Sequence, residues 1–88
     1  LWIAAKNGDM SGLQAALASN VDVNALSESG QTALILAIQN NHLEIVRALL
    51  AHGANPNLAD SRGFTPIRAA RTRANFAILT ALERNGRH

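Results

Sequence analysis

Shifted by 33 residues, the sequence falls onto itself without a gap. Gly30-Gln31-Thr32-Ala33-Leu34 lands on Gly63-Phe64-Thr65-Pro66-Ile67. Ala37 lands on Ala4 and Ala70, Ile45-Val46 on Gly12-Leu13 and Ile78-Leu79, and Leu49 on Ala16 and Leu82. Gly53 meets Asn20 and Gly86, and Asn57 meets Asn24. Turn residues and apolar residues hold one spacing together, which marks a stack of supersecondary units. The units are a partial first repeat at about 1–25, a full one at about 26–58, and a third at about 59–88 that is expected to cap the array.

Each unit reads as two short helices and a loop. Thr32 and Thr65 are placed to cap a helix start, and Pro66 suits the first helical position. This predicts helices from about Ala33 to Asn40 and from about Pro66 to Arg73. A polar turn, Asn40-Asn41-His42, leads into a second helix from about Leu43 to Ala51. Its apolar residues Ile45, Val46, Leu49 and Leu50 recur at spacings of three and four and form one stripe. Gly53 supplies a left-handed stop, and Gly86 is expected to do the same one period later. Asn55-Pro56-Asn57, with Asp60 to Gly63 beyond, is turn chemistry and predicts a loop or short hairpin.

Helices this short are unstable alone in water, so they must be covered by neighbours. The run from Ala33 to Ile38 is apolar all round and belongs inside such a stack. Glu44, Arg47 and His52 give the second helix a polar far side, which places it on the outside. The fold class is therefore all-α: a solenoid of helix-turn-helix units joined by hairpin-like loops. Composition agrees, since much of the 48% hydrophobic fraction is helix-forming Ala, Leu and Ile.

The period, Gly30-x-Thr32-Ala33-Leu34, Asn41-His42-Leu43-Glu44-Ile45-Val46, Leu49-Leu50 and Gly53-Ala54-Asn55-Pro56-Asn57 together closely resemble the ankyrin repeat. Asp60-x-x-Gly63-x-Thr65-Pro66-Ile67 extends the resemblance into the third unit. The departures are Trp2, Ile35 and Arg68, which stand where the family usually has a His after Thr-Pro-Leu. The hydrogen bond that ties that helix to its turn is then expected to be absent. The Gly before the second helix is kept as Gly8 but is Asn41 and Ala74 later. Asn tolerates the left-handed conformation and Ala does so poorly, so the turn at Ala74 is expected to differ.

Charge has entered the third unit at positions that are apolar in the second. Ile35 becomes Arg68, Ile38 becomes Arg71 and Leu50 becomes Glu83, as a terminal cap requires. At the other end, Leu1, Trp2, Ile3 and Ala5 are expected to present an apolar edge. Missing upstream sequence is the favoured cover for it, with a homodimer through Leu1–Ala5 as the alternative. The chain does not begin with Met and opens on no charged-then-apolar leader, and it is read as a fragment or processed product.

Catalytic chemistry finds no foothold. There is no cysteine, and the spacing of His42, His52 and His88 matches no metal motif. Ser11, Ser19, Ser27, Ser29 and Ser61 have no His–acid pairing implied by sequence, and no Gly-rich phosphate loop is present. Glu44 and Asp60 read as turn and surface residues. The expectation is no enzyme, no metal and no cofactor. The longest apolar run is too short to span a bilayer, so no membrane partner is expected.

Residues 1–61 hold Lys6 and Arg47 against Asp9, Asp22, Glu28, Glu44 and Asp60, a net of −3. Residues 62–88 hold Arg62, Arg68, Arg71, Arg73, Arg84 and Arg87 against Glu83, a net of +5. A solvated cap surface accounts for this, with a basic patch for an acidic partner as the sharper reading. Nucleic acid is disfavoured, because Phe64 and Phe76 are the only aromatics there and Phe76 falls on a core position. The resemblance implies a protein partner bound at the loop tips and on a concave face of the first helices. Carried over position by position, it selects Lys6 and Asn7 from the first unit. The second supplies Glu28, Ser29, Gln31, Gln39 and Asn40. The third supplies Ser61, Arg62, Phe64, Thr72 and Arg73. Phe64 is either a binding anchor flanked by Arg62 or an aromatic folded back over the cap.

Overall fold

The computed structural model describes residues 1–73 and 75–86. Six helices follow in order: α1 (Trp2–Asn7), α2 (Met10–Ala18), α3 (Ala33–Gln39), α4 (Leu43–Ala51), α5 (Pro66–Arg73) and α6 (Phe76–Gly86). No strand occurs among the described residues. α3 packs against α1 and α5, while α4 packs against α2 and α6, so the first and second helices of the units form two layers. α3 is covered by α1, α4 and α5, and all its residues from Ala33 to Ile38 are buried. The continuous apolar run thus has a helix on three sides, and Leu36 borders an open cavity on the fourth.

Local chemistry sets the helix ends. Thr32 Oγ1 accepts from Ile35 N at 3.1 Å, and Thr65 Oγ1 accepts from Arg68 N at 3.2 Å. The exit of α4 uses Gly53 at φ 92°. Gly53 N donates to Leu50 O at 3.2 Å and Ala54 N to Leu49 O at 3.0 Å, the paired bonds of a Schellman stop. α3 ends the same way: Asn41, at φ 64°, donates to Ile38 O, and His42 N donates to Ala37 O. A helix cap is worth about 1 kcal/mol. Thr32→Ala is therefore expected to lower the unfolding free energy by about that amount, read by urea denaturation, with Thr32→Ser recovering most of it.

The loop tips repeat as well. Ser27 N donates to Gln31 O at 2.8 Å, and one period later Asp60 N donates to Phe64 O at 2.9 Å. Neighbouring units are stitched at three levels. Ser61 N donates to Gly30 O at 2.9 Å between tips. His42 Nε2 donates to Lys6 O at 3.0 Å and Asn75 Nδ2 to Asn41 Oδ1 at 2.7 Å between turns. Asn55 N donates to Asn24 Oδ1 at 2.7 Å between the loops beyond the second helices.

Several expectations are corrected. The tie lost with the family's His is replaced in the first unit, where Trp2 Nε1 donates to Ala25 O at 3.0 Å. The apolar edge narrows: Ile3 is 76% exposed, but Ala5 is fully buried and Leu1 and Trp2 pack against the core. Phe76 is 77% exposed rather than a core residue. Its equivalent Leu43 is half-buried on α4, which packs against α2, α3 and α6, whereas α6 packs against α4 and α5 among the described residues. Asp60 is a turn residue but not a surface one, being 6% exposed. α6 extends to Gly86, so the stop expected there falls at the edge of the described residues. The turn at Ala74, and Arg87 and His88, lie outside the described residues. Arg68, Arg71 and Glu83 are exposed.

Candidate functional site

Asp60 builds the tip of the third unit. Its Oδ1 accepts from Arg62 N at 2.9 Å and from Phe64 N at 3.0 Å, which folds the loop around the carboxylate. Oδ2 is buried without a hydrogen bond and lies 4.0 Å from Arg62 Nη2. Ser27 takes the same place in the second unit, where its Oγ accepts from Gln31 N at 3.3 Å. The two side chains do one job at equivalent positions. The carboxylate does it with two bonds and a nearby guanidinium.

The loop so held delivers Phe64, half-buried, to the start of α5. The guanidinium carbons of Arg62 and Arg68 stand 5.4 and 4.6 Å from the centre of its ring. A cavity of about 310 Å³ opens beside it, lined by Gln39, Arg62, Phe64, Arg68, Ala69, Thr72 and Arg73. The ring of Phe64 is thus partly covered by arginine side chains, and it also forms a wall of an open cavity.

A second cavity of about 450 Å³ lies by the tip of the second unit. Its lining includes Trp2, Ile3, Lys6, Glu28, Ser29 and Gln31. Gln31 Nε2 donates to Gln39 Oε1 at 2.9 Å, so the residue lining one cavity is bonded to the residue lining the other. Nine of the twelve residues selected from sequence thus line the two linked cavities. Ser61 is exposed at the tip between them, its backbone bonded to Gly30. Asn7 and Asn40 are exposed and line neither cavity, and Asn40 Nδ2 is spent on Leu36 O at 2.8 Å.

Sequence reasoning missed Arg68 as a site residue. The substitution of Arg where the family has His was visible, but its use was not, because it depends on Phe64 reaching back across the helix start. Phe76 lines neither cavity and stands apart from Phe64 on α6. Among the described residues no group of His, Cys, Asp or Glu is gathered to hold a metal ion. No helix described is long and apolar enough to cross a membrane.

A family model described as ankyrin repeats in three copies matches residues 1–87. RelA-associated inhibitor of Mus musculus is 40% identical over 83 residues, covering 94% of this chain and 10% of that protein. B-cell lymphoma 3 protein homolog of Mus musculus is 32% identical over 87 residues, covering 98% of this chain and 19% of that protein. A crystal structure of an ankyrin repeat domain from Acinetobacter baumannii AYE superposes with a TM-score of 0.88 at 41% identity. That match covers 94% of this chain and 45% of the other. The chain spans a minor part of the length of each.

Proposed function

The chain belongs to the ankyrin-repeat family, and on that premise we propose that it holds a partner protein along its loop tips and the exposed face of α1, α3 and α5. Ankyrin repeats are a general protein–protein interaction module, and the fold is generally not catalytic. The name of RelA-associated inhibitor records an association of that protein with RelA. For this chain the partner is proposed by class alone.

The observation that carries the reading is the linked pair of cavities. One continuous edge, running from Glu28 and Ser29 through Gln31 and Gln39 to Phe64 and Arg73, offers polar groups and two aromatics, Trp2 and Phe64. An extended or looped segment could lie along it and place a side chain in each cavity. The outer layer offers less. A cavity beside α6 is lined by Arg47, Ala77, Thr80, Ala81 and Arg84 and holds no aromatic. Aromatic and arginine residues dominate the energetics of most protein interfaces.

Selection of peptides from a random dodecapeptide library, followed by mapping of amide shifts in the bound chain, tests the proposal. Shifts gathered at residues 28–31, 39, 61–64 and 72–73 are the expected result. Shifts confined to Glu44, Arg47 and Thr80 on the outer layer would overturn it. Phe64→Ala is expected to weaken the selected peptides about tenfold while leaving the thermal midpoint near its starting value. Unchanged binding and unchanged folding would remove Phe64 as the anchor.

A further inference from the structure

The cavity of the third unit has a chemistry that its counterpart lacks. Its charged residues are Arg62, Arg68 and Arg73, and no carboxylate lines it. Arg62 is partly answered by Asp60 Oδ2 at 4.0 Å. Among the described residues, Arg68 and Arg73 have no acidic group within ion-pair distance. Arg62 and Arg68 share one ring, which attracts each cation through its quadrupole. The two guanidinium groups still repel each other. An anion placed against Arg68 and Arg73 relieves that repulsion, and low-dielectric walls at Phe64 and Ala69 strengthen the attraction.

We propose that this cavity receives the carboxylate of a glutamate or aspartate in an extended segment of the partner protein. Arg68 and Arg73 hold the carboxylate, and an apolar neighbour of that residue lies on Phe64 and Ala69. The proposal rests on the protein-binding reading above and specifies the segment that is bound. A phosphate group fits less well, because phosphate sites usually recruit backbone N–H donors. Here Pro66 has no N–H, and those of Arg68 and Ala69 are already donated to Thr65. A nucleic acid lying along the tips would carry its phosphates past Glu28 in the second cavity. The arginine-lined volume, about 310 Å³, is bounded by the third unit and Gln39 and suits one side chain rather than a strand.

The same dodecapeptide selection tests this point through sequence content. Peptides enriched on the natural chain are expected to carry an acidic residue beside an apolar one. On a chain with Arg68→Glu and Arg73→Glu, the acidic preference should vanish and the apolar preference remain. Arg68→Gln alone should weaken an enriched acidic peptide about fivefold, and its Gln counterpart should bind both chains alike. Both arginines are exposed, and superimposable circular dichroism melts verify folding of the variants. Enriched peptides without acidic residues, or the same acidic set on both chains, would overturn the proposal. Binding that maps to the tips but shows no acidic preference defeats this proposal and leaves the wider reading standing. Binding that maps to the outer layer defeats the wider reading, and this one with it. Tight, salt-sensitive binding of an oligothymidylate that Arg68→Gln abolishes would reassign the cavity to nucleic acid.

Discussion

Leu49→Ala is expected to lower the unfolding free energy by about 3 kcal/mol. Leu49 is fully buried in the middle of α4, within the one apolar cluster that joins residues of all three units. Truncation removes apolar area from the core and leaves a cavity on α4, which packs against α2, α3 and α6. A domain of this size has a total stability of roughly 5–10 kcal/mol, so the loss is a large share of it. Chemical denaturation followed by circular dichroism measures the change. The exposed Glu44→Ala serves as the control and should shift the result by less than about 0.5 kcal/mol. A loss below about 1 kcal/mol for Leu49→Ala would show that the units do not share one core.

Asp60→Ala is expected to cost about 2 kcal/mol and to free the tip of the third unit. The carboxylate is buried and satisfies two backbone N–H groups, those of Arg62 and Phe64. Removing it strands both donors in a folded loop, and an orphaned buried donor costs about 1–3 kcal/mol. Asp60→Asn keeps an oxygen for both donors and gives up only the 4.0 Å ion pair with Arg62. It should cost less than half as much. Amide exchange at Arg62 and Phe64 separates the two variants: fast in Asp60→Ala, slow in Asp60→Asn. Equal exchange in both would mean that the loop is held by the Asp60 N to Phe64 O bond alone.

Where structure is written in neighbouring residues, the sequence is enough to read it. The bounds of α4 and α5 coincide with those read from Thr65, Pro66, Gly53 and the apolar stripe, because caps and stops act over one turn. Of the two layers, the all-apolar run of α3 announced the inner and the one-sided pattern of α4 the outer. What escaped depends on contacts across the fold. Asp60 reads as an ordinary polar turn residue until the loop is seen to close over it. Trp2 reaches Ala25, 23 positions away, and no local pattern encodes that bond. Phe76 kept the period of a core residue, but periodicity cannot tell that α6 packs against fewer of the described helices than α4 does. Nine residues lining the candidate edge were assembled by position, yet its arginine-rich end was visible only once Arg68 was seen over Phe64.

The stitches between units constrain how such a chain can change length. Tip, turn and far-loop bonds join consecutive units at separate points: Gly30 to Ser61, Lys6 to His42, Asn41 to Asn75 and Asn24 to Asn55. Each bond pairs places that one period relates, or nearly so. An extra residue inside a helix or turn would throw the remaining stitches out of step with their partners. A gene for this chain can therefore gain or lose whole units by duplication and deletion, but it has little freedom to drift in length by single codons. The place for small insertions is the exposed stretch around Asn20 to Asp22, ahead of the Asn24 stitch.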